Sequence, residues 1–359
     1  MGYKIVSSPA AMRREILAWY DRHRRVLPWR AEAGQDSDPY HVWLSEIMLQ
    51  QTTVATVGPY FQRFLERWPR IEDLAAADLD EVLHGWQGLG YYARARNMHR
   101  CSKYVAEELD GVFPDTEAGL RALPGIGAYT AAAISAIAFG RPANVVDGNI
   151  ERVMARFFAI EQPLPDCKEM LRDLAGEVAP KTVRGRPGDF AQAVMDLGAT
   201  VCTPRKPKCL ICPWQRSCCA NKSGIQEELP RRQPKKAKPV RRGVVFWVVR
   251  DDGSVLLRRR PEKGLLGGMI EVPSTEWLED DWTTEKACKA APVKSDWTSL
   301  PGIVRHTFTH FHLELSILAT RVGETESPKG VIWSTPDRLG EQALPTVMKK
   351  VVNLALKAD

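Results

Sequence analysis

The spacing of apolar residues divides the chain into a long helical part and a shorter part with strands. From Ala11 to about Ala220, apolar residues recur every three or four positions, which is the period of helices that bury one face. Glycine and proline clusters interrupt this pattern at residues 88–90, 124–127, 140–142 and 186–188. The pattern predicts a mainly α-helical first domain over residues 1–220.

The pattern turns to strands after Arg242. Stretches that are β-branched or that alternate between apolar and polar residues occur at 243–250, 255–260, 306–320 and 331–334. A glycine-rich connection follows the second stretch at residues 264–273, and helical spacing returns from Thr346 to Leu356. We expect a smaller α+β domain over residues 243–359.

Residues 221–242 follow neither pattern. The run from Pro230 to Pro239 is basic and spaced by prolines, a composition typical of a semi-rigid linker. The linker is either a solvated tether or a direct contact to the phosphates of a nucleic acid.

Composition and charge narrow the class of protein only slightly. A chain of 359 residues with 44% hydrophobic content is long enough for two domains with cores, which excludes a disordered protein. The net charge of +6 permits a polyanionic partner but does not require one. No apolar run approaches the roughly 18 residues of a membrane span, and residues 1–10 lack the apolar core of an export signal. We therefore expect the eight cysteines to lie in a reducing compartment, where clustered cysteines bind metal more often than they form disulfides.

Four cysteines are concentrated in one short loop. Cys202, Cys209, Cys212 and Cys218 form the pattern C-x6-C-x2-C-x5-C. Such thiolates hold either a structural zinc ion or an iron–sulfur cluster, with disulfides as the weakest alternative. The single C-x-x-C spacing favours the cluster, because zinc ribbons usually pair two such spacings. Basic residues between the cysteines either clamp a phosphate or belong to a solvated loop; they are Arg205, Lys206 and Lys208.

A glycine-containing hairpin lies between two helical stretches at residues 123–130, Leu-Pro-Gly-Ile-Gly-Ala-Tyr-Thr. Gly125 and Gly127 allow a tight turn, and the amides that follow open a helix near Tyr129. A helix N-terminus of this kind offers free N–H groups to a phosphate. The hairpin either grips DNA or serves as ordinary packing between two helices.

Two acidic residues stand in contexts that suit acid–base chemistry. Glu46 has largely apolar neighbours in a helix, where burial would raise its pKa and keep it protonated, as a general acid requires. Asp147 is either the N-cap of a helix over residues 149–158 or a partner carboxylate for Glu46. Cleavage of a glycosidic bond uses such a pair, with one acid for the leaving group and one carboxylate for the sugar cation.

A base inside a duplex must first be extruded, and the gap that it leaves must be filled. Gln50, Gln51 and the turn at residues 88–92 supply polar and aromatic groups for this purpose. Tyr91 and Tyr92 in that turn either fill the gap or pack within the protein.

With hairpin, acid pair and four-cysteine loop in this order, the chain resembles the iron–sulfur members of the helix-hairpin-helix glycosylase superfamily. Within that superfamily it resembles the MutY-type adenine DNA glycosylases across nearly its whole length. The stretches that carry the resemblance are L-P-W-R at 27–30, W-L-S-E-I-M-L-Q-Q-T at 43–52, G-L-G-Y-Y-A-R-A-R-N at 88–97 and V-D-G-N at 146–149.

The resemblance implies one 4Fe–4S cluster on the cysteine loop and a substrate of double-stranded DNA with adenine opposite 8-oxoguanine or guanine. Glu46 would protonate adenine at N7, and Asp147 would stabilise or capture the sugar cation with Asn149 beside it. Tyr129 matches the active-site tyrosine of the family. The residues that match the adenine pocket are Arg25, Trp29, Arg30, Gln192 and Met195. The residues expected to contact DNA or 8-oxoguanine are Gln50, Gln51, Thr52, Leu89, Gly90, Tyr91, Gly125, Gly127, Phe308, Thr309 and His310.

One position separates two related activities. Endonuclease III-like enzymes carry a lysine in the hairpin where this chain has Tyr129, and they use it to form a Schiff base and cut the backbone. Without that amine, strand cleavage has no dedicated nucleophile. We therefore expect a monofunctional glycosylase that leaves an abasic site.

The second domain resembles the Nudix fold that MutY-type enzymes use to recognise 8-oxoguanine. The matching stretches are residues 264–269 and 305–311. The R-E-x-x-E-E cluster that holds magnesium in Nudix hydrolases is missing from the sequence. The domain is therefore expected to bind without hydrolysing and to need no magnesium. Two departures from the family are Thr309, where serine is common, and a longer segment at residues 31–38.

The resemblance further implies a monomer in the bacterial cytoplasm, with no membrane association and a linker that contacts other repair or replication proteins. One rival is an endonuclease III-like lyase on oxidised pyrimidines, which Tyr129 and the C-terminal domain argue against. Another is a non-catalytic DNA-binding protein, which would be expected to lose Glu46 or Asp147.

Overall fold

The computed structural model describes residues 7–234, 237–323 and 330–358, which fall into two compact units. The first unit takes in Met1–Ala76 and Asn97–Lys235, and the second takes in Ala77–Arg96 and Lys236–Asp359. Among the described residues, no helix is both long and apolar enough to span a bilayer.

The chain up to residue 223 is helical, as the apolar spacing predicts. Its helices are α1 (Pro9–His23), α2 (Pro39–Leu49), α3 (Val54–Arg67), α4 (Ile71–Ala76), α5 (Leu79–Gly85), α6 (Ala93–Glu108), α7 (Glu117–Ala122), α8 (Ala128–Phe139), α9 (Gly148–Phe157), α10 (Lys168–Val178), α11 (Pro187–Thr200) and α12 (Cys219–Ser223). Of these, α5 and the first residues of α6 belong to the second unit.

Local sequence fixes the ends of the helices that matter for the site. α2 begins after Asp38, whose side chain accepts hydrogen bonds from the first backbone N–H groups of the helix. α8 ends at Gly140, which adopts a left-handed φ of 61°. α9 begins after Asp147, whose side chain accepts a hydrogen bond from the backbone N–H of Ile150 at 2.7 Å. These boundaries place Glu46 inside α2 and Asp147 at the start of α9.

A large core cluster of the helical unit lies between α1, α9, α10 and α11. Tyr20, Phe157 and Trp214 are almost completely buried in it, and the indole N–H of Trp214 donates to the carbonyl of Met12 at 3.0 Å. Because close-packed cores resist displacement, residues at the starts of α9 and α11 are held in fixed positions.

The second unit is built on a sheet. Its strands are β1 (Val240–Arg250), β2 (Val255–Arg259), β3 (Ile270–Glu271), β4 (Thr298–Ser299), β5 (Val304–Thr307), β6 (His312–Val322) and β7 (Val331–Ser334), and its further helices are α13 (Thr284–Cys288) and α14 (Thr346–Ala358). The strand order is β3-β2-β1-β6-β4, with β5 paired to β6 and β7 paired to β2. β1 and β6 run parallel, with Val240 opposite His312. β1 is buried on both faces from Gly243 to Val249, as expected of a central strand.

The alternating stretch at residues 306–320 forms two strands rather than one. β5 and β6 pair antiparallel with Thr307 opposite His312, and the backbone N–H of Phe308 donates to the carbonyl of Phe311 at 2.9 Å across the turn. The two phenylalanine rings pack together, with 4.9 Å between their centroids. Apolar residues therefore continue through the turn, and the pattern does not reveal the break.

Residues 77–96 depart from the predicted division of the chain. The apolar spacing assigns them to the helical domain, whereas their contacts are with the C-terminal part of the chain. Arg259 forms an ion pair with Asp80 at 2.6 Å, and Arg96 donates to the carbonyl of Gly267. Partners this far apart in sequence leave no local signal. The domain boundaries at 220 and 242 stay a prediction.

The predicted linker at residues 221–242 is partly packed. Leu229 is 2% exposed, and the backbone N–H of Leu164 donates to the carbonyl of Arg231 at 2.8 Å. Residues 235–236 of the basic run lie outside the described residues. The first half of the predicted linker is thus held on the helical unit rather than extended as a tether.

Candidate active site

A pocket with about 430 Å³ of empty space, part of it open to solvent, lies beside α2 in the helical unit. Glu46 lines it together with the five residues predicted for the adenine pocket, which are Arg25, Trp29, Arg30, Gln192 and Met195. Apolar surface comes from Leu27, Val42, Leu49, Val54 and Ile137. Residues from distant parts of the sequence therefore share one cavity, and their roles in recognition stay a prediction.

Glu46 is 7% exposed. Burial, the largest effect, raises the pKa of its carboxyl to about 7. A hydrogen bond from Tyr129 lowers this pKa, the negative charge of Asp147 raises it, and the positive charge of Arg30 lowers it. At neutral pH a carboxyl with a pKa near 7 is protonated in a substantial fraction of the molecules, and this suits a general acid.

Tyr129 lies in the first turn of α8. Burial raises the pKa of its hydroxyl well above the ordinary value, and the charges of Glu46 and Asp147 raise it further. The phenol therefore keeps its proton and donates it in the hydrogen bond to Glu46. Hydrogen bonding of this kind fixes the orientation of the carboxyl in the pocket.

Both carboxylate oxygens of Asp147 are engaged at the start of α9. Oδ1 accepts from the backbone N–H of Ile150 at 2.7 Å, and Oδ2 accepts from the side-chain amide of Asn149 at 2.8 Å. The Oδ1 of Asn149 in turn accepts from Nη2 of Arg152 at 2.9 Å. Asp147 is therefore a helix cap in the structure. This position still leaves its charge close enough to act on Glu46.

Asp196 is a site residue that the sequence reasoning missed. It is 0% exposed on α11, and it receives two hydrogen bonds from the guanidinium of Arg30, at 2.6 and 2.9 Å. Nε of Arg25 donates to it at 2.5 Å and the backbone N–H of Arg25 at 3.2 Å. The available signal was a single acid between Met195 and Leu197 in a largely apolar helix, because a buried acid needs partners.

The hairpin between α7 and α8 contains two glycines, and the structural reason for a glycine differs between the two positions. Gly125 has a φ of +76°, and a Cβ there would lie 2.5 Å from the Cβ of Asn97. Gly127 caps α8 with a φ of −88°, and a Cβ there would meet nothing within 4 Å. Gly125 is thus required by the protein itself, whereas Gly127 leaves open space in front of the helix N-terminus.

The residues that follow α2 were predicted to contact DNA. Nε2 of Gln50 donates to the hydroxyl of Thr130 at 3.3 Å, and Gln51 is exposed with a φ of 56°. Thr52 is half-buried next to it. Gln50 is thereby attached to α8, while the strained backbone of Gln51 directs an exposed side chain away from the helix.

The second unit brings two predicted DNA-contacting segments together. The hydroxyls of Tyr91 and Thr309 are hydrogen-bonded to each other. Tyr91 is 46% exposed with a φ of 47°, whereas Leu89, which was predicted to contact DNA or 8-oxoguanine, is 5% exposed. Gly90 between them has a φ of 69°. The segment at 88–92 therefore presents Tyr91 and not Leu89 at the surface of this unit.

The loop after β5 is held by aromatic packing. The ring of Phe308 stacks on that of Trp277 with 5.8 Å between centroids, and the guanidinium of Arg260 lies 5.0 Å from the Trp277 ring centre. Thr309 and His310 are exposed. Phe308 thus acts as a half-buried anchor, and the next two residues form the accessible part of the loop.

The four-cysteine loop surrounds a cavity. Cys202, Cys209, Cys212 and Cys218 all line it, and its volume is about 310 Å³. Arg156 of α9 donates to the sulfur of Cys202 at 3.3 Å, and the thiol of Cys218 donates to the Arg156 carbonyl at 3.4 Å. The basic residues of this loop are exposed, namely Arg205, Lys206 and Lys208.

Four thiols that border one cavity fit a metal centre that is held by cysteines. Oε1 of Gln226 is buried at this cavity without a hydrogen-bond partner. Turned over, that amide would present its N–H groups to sulfur.

Three family models match the chain. Residues 44–180 match the HhH-GPD superfamily of base excision DNA repair proteins. Residues 202–218 match the iron-sulfur binding domain of endonuclease III, and residues 244–354 match the NUDIX domain. The match over residues 202–218 identifies the cysteine loop as an iron–sulfur binding loop and not as a zinc site.

Relatives decide the family. The adenine DNA glycosylase of Homo sapiens is 36% identical over 409 residues, which cover 97% of this chain and 74% of the human protein. This chain belongs to the adenine DNA glycosylase family. The family member from Buchnera aphidicola subsp. Acyrthosiphon pisum is 32% identical, with 86% of this chain and 85% of that protein covered. The predicted resemblance is confirmed, and so is the assignment to base excision repair.

Solved structures support the fold class. A thermostable thymine-DNA glycosylase superposes with a TM-score of 0.52 at 29% identity and covers 60% of this chain and 97% of its own. A complex of endonuclease III with DNA gives a TM-score of 0.50 at 22% identity, with 61% and 99% covered, and shows the fold alone. A helical glycosylase unit followed by a Nudix-like α+β unit, as expected from the sequence, is confirmed.

Proposed function

We propose that this family member is a monofunctional adenine DNA glycosylase, which hydrolyses the N-glycosidic bond of adenine opposite 8-oxoguanine or guanine and leaves an abasic site. One observation carries the proposal. Glu46, with a pKa of about 7, lies on the wall of the pocket under the hydroxyl of Tyr129 and within electrostatic reach of Asp147. One carboxyl that keeps its proton and one nearby carboxylate are the pair that glycosidic cleavage requires.

In the proposed reaction an extruded adenine enters the pocket of Arg25, Trp29 and Gln192. The carboxyl of Glu46 gives its proton to N7 of adenine, which makes the base a better leaving group. The bond between the sugar and the base breaks, and the charge that develops on the sugar is stabilised by the carboxylate of Asp147. Water then adds to the sugar cation and gives up a proton, which restores the acid form of Glu46, so that free adenine and an abasic site are the products.

The monofunctional part of the proposal depends on Tyr129. A Schiff base with the sugar needs a primary amine, and among the described residues the lining of the pocket includes no lysine. A phenol whose pKa is raised far above neutrality is a hydrogen-bond donor and a poor nucleophile. The reaction therefore stops at the abasic site.

Cys202, Cys209, Cys212 and Cys218 would hold the proposed 4Fe–4S cluster. When bound, the cluster supplies a rigid cross-link of the loop that could also exchange electrons. The thiols are buried enough to raise the pKa of Cys212 to about 12, so they need a positive centre to become ligands. The exposed basic residues of the loop are proposed to contact DNA phosphates.

The Nudix-like unit is proposed to recognise 8-oxoguanine through Tyr91, Thr309 and His310, without magnesium or hydrolysis. The exposed hydroxyl pair of Tyr91 and Thr309 supports this assignment. We also propose a monomer that works in the bacterial cytoplasm, where its eight disulfide-free cysteines would stay reduced. The basic linker is proposed as a contact for other repair or replication proteins.

Single-turnover cleavage tests the function. Duplexes that carry 8-oxoguanine:A, G:A, thymine glycol or only normal pairs are incubated with excess enzyme, and free adenine and strand breaks are measured before and after alkali. Adenine release from the first two duplexes, with breaks only after alkali, is expected. Breaks without alkali would refute the monofunctional proposal.

A variant pair tests the acid. Glu46→Gln keeps the size and polarity of the side chain but cannot donate the proton, so it should bind the 8-oxoguanine:A duplex and release no adenine. Glu15→Gln, at an exposed glutamate of α1, is the matched control. Normal adenine release by the first variant would remove Glu46 from the mechanism.

A further inference from the structure

Asp196 lies behind the pocket, not inside it. Its side chain is completely buried on α11, and the guanidinium groups of Arg25 and Arg30 both bond to it. The side chain of Arg30 is itself only 7% exposed. A carboxylate and a cation this deep are stable only because each neutralises the other.

The two arginines connect Asp196 to the acid. Arg25 and Arg30 line the same pocket as Glu46, and the positive charge of Arg30 acts on the Glu46 carboxyl. An arginine beside a carboxyl favours the ionised form of that carboxyl. Arg30 would therefore tend to remove the proton that Glu46 must donate, unless another anion balanced its charge.

We propose that Asp196 is a positioning residue that pairs with Arg30, offsets part of its positive charge and so allows Glu46 to keep its proton for the reaction. The proposal rests on the proposed role of Glu46 as the acid. It assigns to Asp196 the control of the pH range over which adenine is released. Asp196 touches neither the base nor the sugar in this scheme and acts only through Arg30.

The other charged groups that face Glu46 do not replace this function. Tyr129 from α8 is neutral and only donates a hydrogen bond, and Asp147 at the start of α9 is an anion that favours the protonated acid. Two cations from the segment before α2 also line the pocket: Arg25, which is bonded to Asp196 as well, and Arg30, which is the one that lowers the pKa of Glu46. Its partner on α11 therefore decides how much positive charge Glu46 experiences.

The experiment compares pH profiles of single-turnover adenine release for Asp196→Asn and Arg30→Met. The rate should follow the fraction of Glu46 that is protonated, so it declines on the alkaline side. Asp196→Asn leaves the charge of Arg30 unbalanced, and the alkaline limb should move to lower pH. Arg30→Met removes that charge, and the limb should move to higher pH.

A limb displaced by one pH unit corresponds to about a tenfold change in rate on the alkaline side. We expect Asp196→Asn to lose about tenfold at alkaline pH and much less at acidic pH. Asp189→Asn is the matched control, because Asp189 is a solvent-accessible aspartate in the first turn of the same helix. Its profile should match that of the unmodified enzyme.

Asp196→Glu covers the case in which Asp196→Asn does not fold. It keeps the negative charge, so its limb should stay in place even if the rate falls. A purely structural role would lower the rates of Asp196 variants equally at all pH values, and limbs that move in the same direction for Asp196→Asn and Arg30→Met would also overturn the proposal. Adenine release by Glu46→Gln would instead refute the role of Glu46 on which it rests.

Discussion

Arg156 makes the contacts that hold the cysteine loop to α9. Its side chain is 2% exposed. Nε donates to the carbonyl of Leu229 at 2.8 Å, Nη1 to that of Thr203 at 2.7 Å, and Nη2 to that of Pro204 at 3.1 Å. A further bond reaches the sulfur of Cys202. Arg156→Met keeps an unbranched side chain that replaces the aliphatic part of the arginine, but it removes every one of these donors.

The loss of stability in Arg156→Met depends on which carbonyl acceptors lose their hydrogen-bond donor and cannot bind water instead. The hydrogen bond to the carbonyl of Leu229 is fully buried. A buried acceptor left without a donor lowers the free energy of unfolding by about 1–3 kcal/mol. The bonds to Thr203 and Pro204 are only partly buried, so water can replace part of each. We expect Arg156→Met to lower the free energy of unfolding by about 3 kcal/mol.

Urea unfolding measures this loss, and a chelator challenge measures its consequence. The visible absorbance of the iron–sulfur cluster should decay several times faster in Arg156→Met than in the unmodified protein, because the segment that carries Cys202 is no longer bonded to the Arg156 side chain. Arg141→Met, at an exposed ion pair with Asp115, is the control and should change stability by less than about 1 kcal/mol. A loss of stability no greater than that of the control would show that the loop is held by the cysteines alone.

Three further changes probe the site and the DNA-contacting segments. Tyr129→Phe removes a hydrogen bond that lowers the pKa of Glu46, so the alkaline limb of adenine release should move to higher pH; a limb that moves down would contradict this. Gly125→Ala forces a residue with a Cβ into a φ of +76° and should cost about 1–3 kcal/mol in urea unfolding, whereas Gly127→Ala should unfold normally yet bind duplex more weakly in a titration. Thr309→Val keeps the shape of the side chain without its hydroxyl and should lower the rate ratio of 8-oxoguanine:A to G:A by about fivefold, a loss of roughly 1 kcal/mol. An unchanged ratio would exclude that hydroxyl from recognition.

Much of the fold and part of the site could be predicted from sequence because their signals are local. Helical periodicity, the capping residue Asp147 and the glycines of the hairpin act within a few residues of one another. Glu46 was predictable for the same reason, since a lone acid among apolar neighbours must be buried. The four cysteines stand so close together that their common cavity follows from the spacing.

The remainder depends on contacts between distant residues. The role of Asp196 depends on its contacts with Arg25 and Arg30, which lie 171 and 166 positions away in the sequence. The burial of Leu89 and the docking of the first half of the linker also come from packing that periodicity does not encode. In each case the residue type and its neighbours in sequence give no signal, and the role of the residue depends on a partner that is distant in the sequence.

Residues 77–96 precede most of the helical unit in the sequence but belong to the second unit, and this has a consequence for the synthesis of the protein. The ribosome delivers this segment early, yet the strand that pairs with Asp80 through Arg259 is synthesised about 180 residues later. The Nudix-like unit cannot be completed before most of the chain has left the ribosome, whereas the residues of the core around α1, α9 and α11 have all been made by residue 214. A chain that stops at residue 235 would keep the residues that line the pocket of Glu46 and lose the partners of Asp80, Tyr91 and Arg96. Translation beyond residue 235 would therefore be needed for the proposed recognition of 8-oxoguanine but not for the residues proposed to remove the base.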